Sequence, residues 1–563
     1  AMLSSATVIV SSFRQAVEAE RRIVIVTHRK PGEYKVITLF NRALRAGAFL
    51  VTLVSASIAH AEWWEAETSH FIIVSESSKE DTQRFATELE RFDNALRYMQ
   101  GLAVPGPEVG ESNKVRVYRF GSTDDIGRLA GSSQVAGFYI PRAGNAVSFV
   151  PAKDDDSDRF DRNLDRRALR EKTELTPARI LFHEYVHHFM LQNFSTSYPH
   201  WYREGFAELY GTLELFDDGT FRIGNVPQHR GEALFALSDV RLTRLFDHNK
   251  RLDGQDLYQS YSFGWLLAHY LNFNPERRGQ LAAYLKALNA GEDSLTAAKR
   301  IFGDLDKLQG ELRKYKGGPF PTMDVKPAHY VAPKVVMRQL TAGEEAVMRA
   351  HIRSERGVSK REAQQVVDEI DGKDRQYSDN LAVQLITAEA YTDAGEFAKA
   401  EAALKRALVI APESQEANVL MGNMFMARAK KEKDNAVYAQ ARPWFSEAYR
   451  LDPKDPRAAI GYYMTYYQAR EAIPEPALIA LESVFDYSSY DDGYRLVLAR
   501  QLLDENKGKL ARSVLAPLAF SSHKQAEANK VAEVVDAIDA GQIQDARTTM
   551  AAIFAKQDED EGK

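Results

Sequence analysis

The sequence predicts an α+β unit followed by an all-α repeat solenoid, and three observations predict it. Between residues 62 and 316, short alternating strand patterns come first and helical patterns follow. Gly317-Gly318-Pro319, with Pro321, Pro327 and Pro333 after it, then breaks the pattern as a linker does. Beyond residue 341 the chain turns Ala-rich, and helical segments recur in pairs. A chain of 563 residues is also too long for one ordinary domain.

Composition excludes several classes of function. The chain is 44% hydrophobic, enough for sizeable cores and too much for a mostly disordered protein. Its net charge is −6 from 73 basic and 79 acidic residues, which gives no sign of a dedicated nucleic-acid or membrane-surface binder. The absence of cysteine excludes a disulfide framework, thiolate metal sites and a cysteine nucleophile. No nucleotide-binding loop, serine-nucleophile elbow or basic-aromatic stripe is present.

The N-terminal 61 residues read as a signal-peptide region. The apolar run Ala46–Ile58 follows Arg42 and Arg45 and ends at Ala59-His60-Ala61, small residues standing at −3 and −1 of a cut after Ala61. Such a run of about 13 residues is short of the roughly 20 needed to cross a bilayer, so no stable membrane span is expected. Because a signal should stand near the start of the chain, residues 1–35 read as an over-extended start, with translation beginning close to Val36. The competing reading is an ordered segment in which Ile23–Val26 is a strand. Export to the periplasm or exterior is the expectation that follows from the signal.

From residue 62 each element has a local reason. His70–Val74 is an apolar strand run, Ser78–Met99 has helical spacing, and Lys114–Tyr118 alternates strictly. Gly137–Ile140 and Ala146–Val150 flank Ala143-Gly144-Asn145 as a hairpin. Lys153–Lys172 is dense in both charge signs and reads as a solvated loop or surface helix. Thr176–Lys314 is mainly helical, and residues 317–341 form the linker. In the C-terminal half, Leu381–Ser414 spans 34 residues, with Gly395 in its turn, Ala400 and Ala407 in its second helix and Pro412 near its end. That period and punctuation resemble tetratricopeptide (TPR) repeats. Residues 342–376 read as a capping pair, further pairs follow at about 415–453, 456–491, 492–525 and 526–557, and 558–563 is a polar tail. One repeat cannot bury its own face, so the stack over 342–557 is what makes each unit stable.

The chemistry lies in His183-Glu184-Tyr185-Val186-His187. Thr176 can cap a helix with Pro177 at its first position. On that helix the two histidines, four residues apart, lie on one face and can share a zinc ion. Glu184 is too close in sequence to ligate the same ion easily and is placed to take a proton from a water that the metal polarises. Trp201–Glu208 opens a second helix, with sixteen residues (188–203) between His187 and Glu204. A hydrolytic zinc site wants three protein ligands, and Glu204 supplies the third. Gly205 lets the two helices approach, and Glu208, one turn beyond Glu204, can hold the far nitrogen of a ligand histidine.

HExxH followed by W-x-x-E-G-x-A-E resembles the gluzincin peptidases of the peptidase MA-like superfamily, whose fold is zincin-like. The likeness spans roughly 62–316, with quotable motifs only between about 180 and 270. It implies a zinc metallopeptidase with one Zn2+ per chain, His183, His187 and Glu204 as ligands and Glu184 as base. In aminopeptidase-type relatives a later helix carries Y-x-x-G. Tyr261-Ser262-Phe263-Gly264 matches it, which implies that Tyr261 stabilises the oxyanion, with Tyr258 and His229 as the next candidates. The G-x-M-E-N motif that binds a free amino terminus in those relatives is absent, which favours an endopeptidase. Tyr139, beside the expected edge strand, and His188 are candidates to touch substrate; His188 either orients substrate or merely adjoins the site. Two functions remain open at this stage. One is a secreted or periplasmic zinc peptidase acting on a peptide or protein, whose TPR solenoid recruits a protein partner. The other is an inactive TPR scaffold of the cell envelope with a structural metal site.

Overall fold

A six-stranded mixed sheet organises the N-terminal half. In the computed structural model the described residues are 62–133, 135–152, 177–194, 198–247, 252, 254–519 and 525–562. The signal region, the charged stretch 153–172 and the Thr176 cap lie outside them. The strands are β1 (Trp64–Glu67), β2 (Phe71–Ser75), β3 (Val115–Arg119), β4 (Phe138–Ile140), β5 (Val147–Val150) and β9 (Val336–Gln339), in the order β4-β5-β3-β2-β1-β9. The β2–β3 and β3–β5 pairs are parallel, and the others are antiparallel. The expected hairpin is β4–β5. A second sheet joins β6 (Glu214–Leu215), β7 (Phe221–Ile223) and β8 (Met323–Val325).

Residues 317–341, expected to be a linker, therefore carry two paired strands. Arg338 on β9 grips Glu65 on β1 through two hydrogen bonds of 2.8 Å, and β8 lies against β7. The prolines interrupt helix, as their chemistry requires, yet the backbone between them is tied into both sheets. From residue 62 onward the chain belongs to a single compact unit.

The two faces of the large sheet are covered by different partners. Alternation in β2 sends Phe71 and Ile73 to one side, where they meet α1 (Lys79–Met99) and α3 (Pro177–Asn193) through Phe92, Phe182 and Tyr185. Ser78 caps α1 by accepting from the Asp81 amide. Ile72, Val74 and Tyr118 face the other side and meet α2 (Thr123–Ala130) and the helix Ala342–Arg356 through Ile126, Met348 and Ile352. The sheet thus sits between the HExxH helix and the first helix of the C-terminal region.

That C-terminal region is all helical and built of antiparallel pairs: Leu381–Ala394 with Phe397–Ile410, Gln415–Glu432 with Asn435–Leu451, Asp492–Asp504 with Gly508–Ala519, and Gln525–Asp539 with Ile543–Gly562. Gly395 takes a left-handed φ of 73° at the first of these turns, where a side chain would be strained. Small residues let the helices approach: Ala400, Ala403 and Ala407 are completely buried. The region closes back on the N-terminal half. Asp491 accepts from the Ala143 amide at 2.7 Å, Glu355 from the Asn145 side chain at 2.7 Å, and the Ser489 hydroxyl donates to the Leu191 carbonyl at 2.7 Å. The tip of the β4–β5 hairpin is held by the helical region, and so is the C-terminal end of α3. No described helix is long and apolar enough to cross a membrane.

Candidate metal centre

Helix α3 presents His183 and His187 one turn apart, and α4 (His200–Gly211) brings Glu204 to the same point. The Nε2 atoms of the two histidines are 3.2 Å apart. Oε2 of Glu204, a fully buried residue, is 3.4 Å from each of them. A tetrahedral ion with bonds of about 2.0–2.1 Å separates its ligand atoms by about 3.3–3.4 Å. The three atoms therefore stand at the spacing one ion requires, and all three are donors of the type zinc takes. In the metal-free protein, burial lowers the pKa of both imidazoles. At His183 the Glu204 hydrogen bond and nearby carboxylates overcome it and lift the value to about 9. At His187 burial prevails and the value falls below the ordinary one.

Among the described residues two other His–carboxylate groups are tight enough to hold an ion: His70 with Glu90 and Asp93, and His351 with Glu355 and Glu389. Their contacts point elsewhere. His70 Nδ1 lies 2.7 Å from Glu90, while Arg97 donates to Asp93 at 2.6 Å and approaches His70 Nε2 at 3.3 Å. A guanidinium already supplies the cation there. His351 spends its two nitrogens on different partners, Nε2 on the Tyr118 hydroxyl at 2.8 Å and Nδ1 facing Glu389 at 3.6 Å. The His70 ligand atoms also converge, Nδ1 standing 3.4 Å from Asp93, but Arg97 already holds that carboxylate. The His183 group has the even 3.2–3.4 Å spacing that one ion requires.

The remaining expected residues fall into two sets. His183, Glu184, Glu208 and Tyr261 line one cavity of about 380 Å³ with Arg179, Ile180, Gly211, His229 and Arg230. Tyr261 lies on α5 (Gly254–Phe273), its ring 6.5 Å from that of His183 and capped by the Arg230 guanidinium at 4.7 Å. Burial and the charge of Glu204 raise its phenol pKa against the pull of Arg230, so at neutral pH the hydroxyl stays protonated and can donate. Tyr258, the alternative, is 45% exposed and does not line this cavity.

Glu208 faces His183 Nδ1, but at 3.8 Å. Its short contacts go to His229 at 3.0 Å and Arg230 at 2.8 Å. Burial opposes its ionisation. The His229 hydrogen bond and the charges of His183, Arg230 and His229 outweigh burial and hold the carboxyl at about 2. The sequence reading missed the role of Arg230, which bridges Glu208 and Tyr261. It also missed His200, whose Nδ1 lies 3.7 Å from the second Glu204 oxygen and whose Nε2 is 2.8 Å from Ser260 Oγ. Its four-residue spacing from Glu204 on one helix was the available signal.

His188 and Tyr139, the candidates to touch substrate, instead bond to each other: the Tyr139 hydroxyl is 2.7 Å from His188 Nδ1. His188 is 2% exposed and packs against Tyr490 of the helical region at 4.4 Å. One residue beyond His187 turns the side chain about 100° away from the metal face, and burial pulls its pKa down to about 3. It is a neutral core histidine behind the site.

Gly205 allows a close approach, but to a different helix from the one expected. A Cβ there would overlap the Gly264 carbonyl on α5, and one on Gly264 would overlap the Trp201 carbonyl. The glycines of E-G and Y-x-x-G thus face each other, so the two backbones fix Glu204 and Tyr261 in one frame. Toward α3, a Cβ on Gly211 would stand 3.6 Å from the His183 backbone nitrogen, an ordinary contact.

No family model, curated protein or solved structure matches the chain.

Proposed function

We propose that the chain is an exported zinc-dependent peptidase, cutting internal peptide bonds, with a zincin-like catalytic unit and a TPR-type helical region that engages protein partners. The observation that carries this reading is the triangle of His183, His187 and Glu204 beside a cavity that also holds Glu184 and Tyr261. Zinc held by those three residues would supply Lewis acidity toward a water and toward a scissile carbonyl. Glu184, outside the ligand triangle, accepts the proton of the attacking water and returns it to the leaving amine. Tyr261 donates a hydrogen bond to the oxygen on which negative charge develops. Arg230 packs on that ring while binding Glu208. Burial of Glu204 and Glu208 keeps water from competing for these contacts.

The test is cleavage of a diverse peptide library by the zinc-loaded chain, read by mass spectrometry. Wild type is expected to cut internal bonds, and Glu184→Gln to lower kcat by about 10² or more with zinc retained. A wild-type chain that binds zinc and cuts nothing would leave the scaffold reading in its place.

A further inference from the structure

A second cavity, of about 1110 Å³, lies between the large sheet and the helical region. It shares no lining residue with the metal-site cavity. Its floor is the sheet face of Ile72, Val74 and Tyr118, and its far wall comes from the helices Leu381–Ala394 and Gln415–Glu432, with Leu385 and Leu420 among the lining side chains. Nine carboxylates and four lysine or arginine side chains line it.

Each of the four cations is already matched to a wall carboxylate. Arg338 holds Glu65 at 2.8 Å and also Glu344 at 2.8 Å. Lys114 holds Glu67 at 2.8 Å, Arg116 faces Glu111 at 3.3 Å, and Arg457 holds Glu416 at 2.6 Å. His351, also on the wall, faces Glu355 and Glu389 at 3.6 Å each, and Arg142 reaches Glu355 at 3.5 Å. Glu413 and Asp452 are matched to no cation of the lining, and carboxylates outnumber lysine and arginine there by nine to four. Glu413 stands exposed at the rim. A concave wall with a net excess of one sign focuses its field and concentrates ligands of the opposite sign.

We propose that this cavity is a second binding site, for an extended basic segment of a partner protein. Charge complementarity selects a cation, and the apolar wall selects what kind. Lysine and arginine carry long aliphatic stems that pack on partly exposed surfaces such as Leu381, Leu385 and Leu420 while their heads reach a carboxylate. A small hydrated ion would leave those apolar surfaces uncovered, and the volume exceeds the roughly 300–1,000 Å³ of ordinary small-molecule pockets. Gly144 and Asn145 of the β4–β5 hairpin tip also line the cavity, so an occupant would lie against the loop that the helical region clasps.

The experiment uses the full chain carrying Glu184→Gln, treated with chelator so that nothing is cut. A fluorescent octapeptide of alternating lysine and alanine is titrated by anisotropy, with a glutamate–alanine octapeptide as its counterpart. The basic peptide should bind saturably, weaken as salt is raised, and bind at least tenfold more weakly when Glu389→Gln, Glu413→Gln and Asp452→Asn are combined. Ala382→Arg, which puts a cation on the wall, should weaken it similarly without removing any carboxylate. Equal binding of the acidic peptide, absence of saturable binding, or unchanged affinity in both variants would overturn the proposal. So would displacement of the probe by micromolar calcium or zinc, which would assign the carboxylates to a metal. Because the metal-site residues take no part, failure here leaves the peptidase reading standing, and the reverse holds too.

Discussion

Two buried histidine–carboxylate clusters flank the HExxH helix, and only one is built like a working site. On one side, His70, Glu90, Asp93 and Arg97 form a closed network. Tyr185, inside the motif, donates to Asp93 at 2.7 Å, and Arg97 donates to the other oxygen of that carboxylate. Negative charge there is met by a permanent guanidinium, and the network needs no visitor. On the other side, His183, His187 and Glu204 turn three lone-pair atoms toward one point beside a cavity. Composition is nearly the same in both. What separates a structural cluster from a chemical one is whether the positive charge is already in the chain and whether there is room beside it.

Breaking the closed cluster should have the largest effect. Asp93→Ala leaves Arg97 buried without its carboxylate, leaves His70 with Glu90 alone, and removes the tie to Tyr185. Loss of a buried partner of this kind costs about 3–5 kcal/mol, so a drop of that size is expected in urea unfolding. Zinc bound per folded molecule should not change. Stability unaffected by Asp93→Ala would show that the network is not what anchors the helix.

On the open side, Tyr261→Phe removes one oxyanion donor. The expected loss is about 2.7–4 kcal/mol of transition-state stabilisation, read as a lower kcat with little change in KM. Full kcat in that variant would return Tyr261 to the core.

A smaller effect comes from Glu208. Its folded pKa of about 2 lies below the ordinary 4.5, so folding favours the ionised form. Its contribution is complete above about pH 4.5 and is lost as pH falls toward about 2. In the metal-free protein, Glu208→Gln should flatten the fall in Tm over that window. An unchanged pH profile would mean that His229 and Arg230 do not hold the charge. The smallest expected effect is on substrate choice: acetylating the amino terminus of a good peptide substrate should leave kcat/KM about the same. Abolished cleavage would mean that the site binds a free amino terminus.

The same contrast explains how much was legible in the chain. His183 and His187 could be read because helix periodicity turns spacing into direction, and Glu204 because such a site wants a third ligand and the second helix supplies a carboxylate. Strands β2 and β3 followed from apolar runs and alternation, and the β4–β5 hairpin from Ala143-Gly144-Asn145. Pairings made across long separations left no local trace. The Arg338–Glu65 contact that seats β9 in the sheet joins residues 273 apart, and the prolines around it read only as a linker. The Gly205–Gly264 contact depends on two helices meeting, and the sequence suggested a close approach but assigned it to the HExxH helix. His188 adjoins a ligand in sequence and points away from it in space, toward Tyr490, a residue 302 positions later.

The most direct test of the open cluster is its metal content. Purified without chelator, equilibrated with zinc and freed of excess, the wild-type chain and Glu184→Gln should each retain one zinc by elemental analysis. Glu204→Ala and His183→Ala, shown to be folded, should retain far less. A wild-type chain that holds no zinc, or a Glu204→Ala chain that still holds a full equivalent, would contradict the assignment of His183, His187 and Glu204 as the metal ligands.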